Sequence, residues 1–291
     1  MSDALRVGLV GAGPWAQMVH APVLAAGPET VLAGVWARRP EVAAELAAKH
    51  GAQQCDSLDA LFETCDAVAF CVPPDVQADL AAKAAGAGKA LLLEKPIAAD
   101  VAGAERLVKS VDDAGVPSMI VLSWRYADAV REFIAAARAA DVWGGRGSFV
   151  GGGLIQGPFR TPWRLERGAV LDLGPHILDL LDASIGTITG VEARGDPHRI
   201  VSILCEHEGG VTSVASISAF SPVQPARTGA EVWGPDGVIE VDCARSVGRE
   251  AFATLRDEFA ACARGERHEL DVHHGLHLQR LIDAAESQLR R

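Results

Sequence analysis

The sequence lacks an uninterrupted apolar run long enough to cross a bilayer, and no basic, apolar stretch precedes its first predicted strand. It also lacks an excess of cationic side chains, since 38 Asp and Glu residues against 27 Lys and Arg residues give a formal net charge of -11. An acidic chain argues against nucleic acid as the main partner. We therefore expect a cytoplasmic protein that associates with neither nucleic acid nor a membrane.

The cysteines show no C-x-x-C spacing, which excludes the common sequence patterns of zinc sites. A framework of disulfides is also not indicated, and we predict reduced thiols. Three histidines near the carboxyl terminus are interpreted as the polar face of a helix, because no cysteine or acidic partner accompanies them, and no metal is expected. These residues are Cys55, Cys65, Cys71, Cys205, Cys243 and Cys262, and His273, His274 and His277.

The 291 residues suit one large domain or two ordinary ones. In residues 1–123, short apolar strands alternate with helical stretches, which predicts an α/β domain with a doubly wound parallel sheet of the Rossmann type. Residues 124–291 instead show Gly-rich apolar runs joined by short turns, which predicts an α+β domain on a mostly antiparallel sheet. Alternating small and apolar residues from Thr212 to Ser218 indicate one packed and one open face of that sheet.

A glycine-rich turn follows the first strand, Leu5–Val10. It fits the dinucleotide fingerprint G-x-G-x-x-G/A, in which backbone N–H groups face a pyrophosphate and a small last residue lets helix and strand pack closely. An ordinary strand-to-helix turn is the alternative, because such a match alone is weak. The residues of the predicted cofactor turn are Gly11, Ala12, Gly13, Pro14, Trp15 and Ala16.

The end of the second strand bears on the choice of cofactor. An acidic residue is usual there in enzymes that bind NAD, but this chain has Ala37 followed by Arg38 and Arg39. Two guanidinium groups suit a 2′-phosphate, so the residues favour NADP, with NAD possible. In the alternative, both arginines are ordinary surface charges and Glu41 binds the ribose.

The stretch Ala90 to Pro96 reads as a buried strand followed by Glu94-Lys95-Pro96. Proline cannot donate to a sheet ladder, so the strand should end before it. Lys95 then lies at the carboxyl edge of the parallel sheet, where open α/β sheets bind ligands, and can exchange a proton with a substrate oxygen. The alternative is a solvated lysine in a loop.

A second candidate centre is the stretch from Gly168 to Asp179, which contains Asp172 and His176. Gly174 and Pro175 suit the opening of a helix, which would place His176 in the first turn and keep its ring neutral near pH 7. Asp172 could then orient the ring or bind a substrate hydroxyl. The alternative is a structural histidine, and Asp179 is interpreted as a surface or packing residue.

Four motifs occur in a characteristic order and spacing: Gly-Ala-Gly at 11–13, Pro73-Pro74, Glu94-Lys95-Pro96, and Asp172 followed by His176. In this they resemble the Gfo/Idh/MocA oxidoreductases, the group of glucose-fructose oxidoreductase and inositol dehydrogenase. The resemblance implies a nicotinamide cofactor, a sugar, cyclitol or related hydroxyl substrate, and assembly as a homodimer or homotetramer through the open sheet face. It also implies that Lys95, Asp172 and His176 form the catalytic set. It implies further site residues: Cys71, Val72, Pro73, Glu94, Lys95 and Pro96 for the cofactor, His20 in the first helix, and Arg125, Trp163 and Arg164 for the substrate. The alternative for His20 is local packing, and for the last three residues it is interdomain packing or a surface position.

One residue departs from the family pattern. Members often have histidine in a Pro-Pro-x-x-His segment, where this chain has Gln77, and we expect Gln77 to contact the cofactor near the nicotinamide. The predicted function is hydride transfer between nicotinamide and a hydroxyl-bearing substrate. Two alternatives stay open: a cofactor-binding regulator without turnover, and a reductase of a non-sugar carbonyl or conjugated substrate, as in biliverdin reductase.

Overall fold

The computed structural model of the protein describes residues 4–289. These residues form two units. The first contains the chain up to Val121 together with Phe252–Leu276, and the second contains Leu122–Ala251 together with the residues from His277.

The sheet of the first unit consists of β1 (Leu5–Val10), β2 (Thr30–Trp36), β3 (Gln53–Gln54), β4 (Ala67–Phe70), β5 (Ala90–Leu93) and β6 (Ser118–Ile120). All neighbouring strands are parallel, in the order β3-β2-β1-β4-β5-β6. Every residue of β4 and β5 is buried, because helices cover both faces of a parallel sheet of this kind. The predicted doubly wound Rossmann sheet is confirmed.

The connections between these strands are helical. A turn of π-helix, Ala16–His20, leads into α1 (Ala21–Ala25), and the later crossovers are α2 (Pro40–His50), α3 (Leu58–Thr64), α4 (Pro74–Gly86) and α5 (Val101–Ala114). Local sequence sets their ends: the Asp100 carboxylate accepts the Gly103 N–H at 2.7 Å, and Gly115 ends α5 in the left-handed conformation.

The sheet of the second unit consists of β7 (Gly144–Val150), β8 (Ile188–Gly195), β9 (Val201–His207), β10 (Thr212–Ser218), β11 (Arg227–Gly234) and β12 (Gly237–Asp242). Its order is β12-β11-β7-β10-β9-β8, and β7 and β10 are parallel while the other pairs are antiparallel. Residues of β9 alternate strictly between buried and exposed. This confirms the expected mostly antiparallel sheet with one packed face.

The helices of this part of the chain are α6 (Asp128–Ala139), α7 (Pro162–Arg167), α8 (Ala169–Ile185) and α9 (Cys243–Ser246), after a short 3-10 helix at Ser123–Tyr126. The long helix α8 packs on β7 through glycines. A Cβ atom at Gly147 would lie 2.5 Å from Cδ1 of Ile177, and one at Gly145 would lie 2.8 Å from Cδ1 of Ile185. The last described helices are α10 (Arg249–Ala263) and α11 (Val272–Leu289).

None of the six cysteines, all within the described residues, is in a disulfide. Burial raises the pKa of Cys65 and Cys262 to about 11 and that of Cys205 and Cys243 to about 12. These four thiols therefore stay protonated near neutral pH. None of the helices in residues 4–289 combines the length and the apolar character that a membrane span requires.

Candidate cofactor and catalytic residues

The turn after β1 requires glycine at one position and leaves space at another. Gly11 has φ +111° and its N–H donates to the Trp36 carbonyl at 2.8 Å, while a Cβ atom there would lie 2.2 Å from the Cys71 carbonyl oxygen. Apart from the two chain neighbours of Gly13, no residue in the range 4–289 has an atom within 4 Å of a Cβ atom built on Gly13. Ala16 is fully buried at the start of the helical segment. The turn thus has the close packing and the open backbone face that a pyrophosphate needs.

Residues after β4 border this turn. The Cys71 N–H donates to the Val10 carbonyl at 2.8 Å, and Cγ1 of Val72 lies 3.1 Å from the position of a Cβ atom on Gly11. Pro73 precedes α4 with extended backbone angles. The three predicted cofactor contacts after β4 therefore lie at the same strand edge as the glycine-rich turn.

The residues after β2 present two cations at the sheet edge. Ala37 is half-buried, whereas Arg38, Arg39 and Glu41 are exposed. Arg39 immediately precedes α2, and Glu41 lies in the first turn of that helix. A phosphate could reach both guanidinium groups at this edge. A ribose hydroxyl could equally reach the Glu41 carboxylate.

The Lys95 turn, defined here as Glu94–Ile97, begins directly after β5. The Glu94 carboxylate accepts hydrogen bonds from Nε1 of Trp15 and contacts Nε2 of His20, each at 2.7 Å. Its second oxygen accepts the backbone N–H of Lys95 at 3.2 Å. Trp15 also packs edge-on against Phe252, with ring centroids 6.1 Å apart. Glu94 therefore links the glycine-rich turn and the first helical segment to the Lys95 turn.

Gln77, expected at the cofactor, lies behind the Lys95 turn with its side chain completely buried. Its Oε1 accepts the Glu94 N–H at 3.0 Å, and its Nε2 donates to the Glu94 carbonyl at 2.6 Å. Nε2 also lies within hydrogen-bond distance of the Pro96 and Ile97 carbonyls, at 3.2 and 3.3 Å. The amide is thus directed at the turn backbone.

The prediction that a helix opens at Gly174 and Pro175 is wrong. Helix α8 begins at Ala169, so Asp172 lies in its first turn and His176 lies two turns into the helix. Gly168 starts it instead, with φ +77°, where a Cβ atom would lie 2.6 Å from the Pro197 carbonyl oxygen. Pro175 therefore lies inside the helix, where a proline removes one backbone hydrogen bond. The argument that a helix amino terminus keeps His176 neutral therefore does not hold.

His176 lies in an aromatic stack within the second unit. Its ring centroid is 5.1 Å from that of Trp124, with 30° between the planes, and 6.0 Å from that of Phe149. Trp124 and Phe149 stack on each other at 5.2 Å. Only 8% of His176 is exposed. The stack fixes the plane of the imidazole, which a proton-transferring group needs.

Asp172 precedes His176 by one helical turn, so both lie on the same face of α8. Nε of Arg164 donates to the Asp172 carboxylate at 2.8 Å. The Arg164 guanidinium also lies 4.4 Å from the centre of the Trp163 ring, within the range of a cation–π contact. Of the predicted substrate residues, Arg164 thus contacts the catalytic candidate Asp172 directly, and Trp163 supports Arg164.

Arg125 forms a buried ion pair with Asp179, which lies about one turn after His176 on α8. Its Nη1 lies 2.7 Å from Oδ1 of Asp179, and the two side chains are only 6% and 2% exposed. Asp179 is therefore a buried residue and the surface alternative is wrong. Because Trp124 immediately precedes Arg125, the ion pair joins the segment that stacks on His176 to the helix that carries His176.

Sequence reasoning missed the partners of the candidate residues. Trp124 and Phe149 stack on His176, and Gln77 supports the Lys95 turn, but neither role follows from spacing along the chain. The signal available was the aromatic residue directly before Arg125. No group of three or more His, Cys, Asp or Glu side chains within residues 4–289 is placed to hold a metal ion. His273 and His277 contact different carboxylates, Asp112 at 3.0 Å and Asp182 at 2.8 Å.

The two sheets define a dinucleotide-binding unit and an α+β unit, and comparison with known proteins identifies both. Residues 5–121 match the model described as "Oxidoreductase family, NAD-binding Rossmann fold". Residues 127–240 match the "GFO/IDH/MocA C-terminal domain". The chain therefore belongs to the GFO/IDH/MocA family of oxidoreductases, which confirms the resemblance. It is an oxidoreductase with an NAD(P)-binding Rossmann fold.

The chain is similar to named relatives, one over most of its length and one over about half of it. It is 30% identical over 259 residues to dTDP-3,4-didehydro-2,6-dideoxy-alpha-D-glucose 3-reductase of Streptomyces violaceoruber, a match that covers 84% of this chain and 74% of the relative. It is 33% identical to inositol 2-dehydrogenase of Rhizobium meliloti, over 47% of this chain and 41% of the relative. The crystal structure of levoglucosan dehydrogenase with NADH and levoglucosan has the same fold, with a TM-score of 0.88, 18% identity and coverage of 99% and 97%.

Proposed function

We propose that the protein transfers a hydride between a nicotinamide cofactor and a hydroxyl-bearing carbon of a sugar, cyclitol or related compound. The observation that carries the proposal is Lys95, held at the carboxyl edge of the parallel sheet in a chain of this oxidoreductase family. The named activities of the relatives support the substrate class, since they include an inositol dehydrogenase and a deoxysugar reductase.

In this proposal Lys95, Asp172 and His176 act together on the substrate. A bound nicotinamide supplies or accepts the hydride at its C4 atom. In oxidation, Lys95 and His176 both hydrogen-bond the substrate hydroxyl, and the one of the two that is unprotonated takes its single proton, so that the carbon that loses the hydride becomes a carbonyl. In reduction the protonated group returns that proton. Asp172, held by Arg164, binds a second hydroxyl or orients the imidazole of His176.

The test is turnover by a Lys95→Ala variant with a panel of sugars and cyclitols, measured by the absorbance of the reduced nicotinamide. We expect kcat to fall by about 10²- to 10⁴-fold, the range for loss of a general acid–base group, while the cofactor dissociation constant stays unchanged. Lys83→Ala is the matched control, because Lys83 is exposed on α4. Wild-type turnover by Lys95→Ala would refute the assigned role.

We propose further that the cofactor is NADP. Arg38 and Arg39 are exposed directly after β2, and the half-buried Ala37 stands where a carboxylate would repel a 2′-phosphate. A fluorescence titration with NADPH and NADH tests this. We expect tighter binding of NADPH, and loss of this preference in an Arg38→Ser, Arg39→Ser variant. A preference for NADH would instead assign the ribose to Glu41.

The expected homodimer or homotetramer stays a proposal, with the exposed face of the second sheet as the contact surface. Leu204 and Val214 are paired neighbours on that face, and 38% and 40% of their surface is exposed. Trp233 and Val238, also paired, are 37% and 62% exposed. Light scattering after size exclusion should show an oligomer that Leu204→Glu, Val214→Glu dissociates, and a monomeric wild type would refute the proposal. The cytoplasmic location likewise stays a prediction, which cell fractionation tests.

A further inference from the structure

The Gln77 side chain makes several hydrogen bonds to the backbone of the Lys95 turn. It projects from the first turn of α4, is completely buried, and makes hydrogen bonds to backbone groups on both sides of Lys95. Four backbone groups of a four-residue turn lie within hydrogen-bond distance of one amide. These hydrogen bonds join the start of α4 to the turn that follows β5.

The orientation of the amide follows from chemistry. A backbone N–H can only donate, so the atom facing the Glu94 N–H must be Oε1, and the NH₂ group must face the carbonyl oxygens. The shortest of these contacts, 2.6 Å, is to the carbonyl of Glu94, the peptide group that leads into Lys95. Since the Pro96 carbonyl is also within reach, the amide holds the peptide group that leads into Lys95 and the peptide group between Pro96 and Ile97.

A second support of the turn is the Glu94 side chain. The Glu94 carboxylate accepts the Lys95 N–H and is itself held by Trp15 and His20. These contacts constrain the Glu94 side chain, whereas the Gln77 amide constrains the turn backbone. The Glu94 carboxylate thus holds the Lys95 N–H, and the Gln77 amide also contacts the Pro96 and Ile97 carbonyls that follow Lys95.

We propose that Gln77 is a positioning residue for Lys95: its buried amide holds the backbone of the Lys95 turn so that the lysine ammonium reaches the substrate oxygen, and its side chain touches neither substrate nor cofactor. The proposal rests on the proposed function, because it assumes that Lys95 exchanges a proton with the substrate. It replaces the expectation of a cofactor contact for the side chain of Gln77.

The first variant is Gln77→Met, which keeps the length of the side chain and removes its donor and its acceptor. Displacing a reacting group by about 1 Å costs on the order of 100-fold in rate, and we expect a fall of this size in kcat. The dissociation constant of the cofactor should change far less than kcat, because the glycine-rich turn is intact and the Glu94 side chain keeps its own contacts with Trp15 and His20. A residue that contacted the cofactor would show the opposite pattern, with weaker cofactor binding.

Gln77→His supplies the rescue. A neutral imidazole has one N–H donor and one acceptor nitrogen, so it can serve the Glu94 N–H and one carbonyl, and we expect kcat near that of wild type. Gln77→Glu has nearly the same shape, but an ionised carboxylate accepts only, so it cannot bond the turn carbonyls and should lose kcat. This pair keeps the test decisive if Gln77→Met does not fold.

Thr30→Val is the control for the loss of a buried polar contact in the same unit. The Thr30 hydroxyl is 2% exposed and donates to the Leu24 carbonyl at 2.7 Å, at the start of β2. We expect a lower unfolding temperature with unchanged kcat. If Gln77→Met lowers the unfolding temperature in the same way and also leaves kcat unchanged, Gln77 is structural only and the proposal is wrong.

Lys95→Ala separates the two hypotheses. If Lys95→Ala keeps turnover, the proposed function fails, whatever the Gln77 variants do. If Lys95→Ala is inactive while folded Gln77→Met or Gln77→Glu turns over at the wild-type rate, only the positioning role fails. Inactive Gln77→Glu together with active Gln77→His and unchanged cofactor binding supports the proposal.

Discussion

The Lys95 turn of the first unit and the His176 face of α8 in the second unit hold their candidate catalytic residues by different means. At the Lys95 turn, neutral hydrogen bonds from Gln77 and a carboxylate from Glu94 hold the backbone. On α8 the helix itself fixes the backbone, and partners from elsewhere in the unit hold the side chains. A turn needs support for its peptide groups, whereas a helix has its own hydrogen bonds and needs support only for its side chains.

One ion pair from each unit shows how burial changes the effect of a similar contact. Arg125 and Asp179 in the second unit lie 2.7 Å apart with 6% and 2% of their side chains exposed. Arg6 and Asp66 in the first unit lie 2.6 Å apart with 54% and 47% exposed. The distances are nearly equal, so burial decides the energetic difference. Water screens the exposed pair, while a buried charge that loses its partner has no solvent to replace it.

The largest effect on stability should follow from Arg125→Met. The substitution leaves the Asp179 carboxylate buried without its guanidinium partner, which typically destabilises a protein by about 3–5 kcal/mol. Urea unfolding measures the change. We also expect the His176 stack to loosen, because Trp124 adjoins Arg125, and near-ultraviolet circular dichroism should report this.

The double variant Arg125→Met, Asp179→Leu provides the control for this comparison. Removing both charges removes the uncompensated carboxylate, so the double variant should be more stable than Arg125→Met alone. Arg6→Met, at the exposed pair, should have little effect by comparison. If Arg6→Met and Arg125→Met destabilise the protein equally, burial does not distinguish the two pairs.

How far the sequence predicted the site differs between the same two regions. The Lys95 turn was predictable because its parts are contiguous: an apolar strand, then Glu94 and Lys95, then a proline that ends the strand. The β1 turn was predictable for the same reason. On α8, the presence of Asp172 and His176 pointed to a site, but the expected helix start at Gly174 was wrong. Local preference places proline at the start of a helix, whereas tertiary packing determines whether a helix continues through a proline.

The partners of both sets were not predictable from one sequence. Trp124 lies 52 positions before His176, and Gln77 lies 17 positions before Glu94. Such contacts depend on which strands and helices become neighbours, which spacing along the chain does not encode. The sequence left a surface and a packing role open for Asp179 for the same reason, since its partner Arg125 lies 54 positions away.

A medium effect is expected from Gly147→Ala, which tests how α8 is held on the sheet. The added methyl group would lie 2.5 Å from Cδ1 of Ile177, next to His176. Overpacking of this kind costs about 1–3 kcal/mol, and urea unfolding should show a loss in this range. Ile177→Val removes Cδ1, so Gly147→Ala combined with Ile177→Val should recover part of the lost stability.

Gly13→Ala in the first unit is the counterpart of this substitution. A methyl group there meets no atom of the described residues within 4 Å beyond its chain neighbours, so stability should not change. Cofactor binding should weaken instead, because the methyl group occupies the open face expected to receive the pyrophosphate. If Gly13→Ala destabilises the protein while Gly147→Ala does not, two assignments would be wrong: close packing of a helix at Gly147, and open space for a ligand at Gly13 in the glycine-rich turn.

The smallest effect, and the one that depends on pH, is expected from Asp66→Asn at the exposed ion pair. A side-chain hydrogen bond from Arg6 holds the pKa of the Asp66 carboxyl below its usual value. A carboxyl whose pKa is lowered on folding stabilises the protein above its unfolded pKa, and this stabilisation is lost as the pH falls through its folded pKa.

Wild type should therefore exceed Asp66→Asn slightly in unfolding free energy at neutral pH, and the difference should shrink as the pH falls below the ordinary value of 3.8. Urea unfolding at several pH values measures it, and added salt should reduce it at neutral pH, since almost half of the Asp66 side chain is exposed. A difference that grows on acidification would mean that the Arg6 contact does not stabilise the carboxylate.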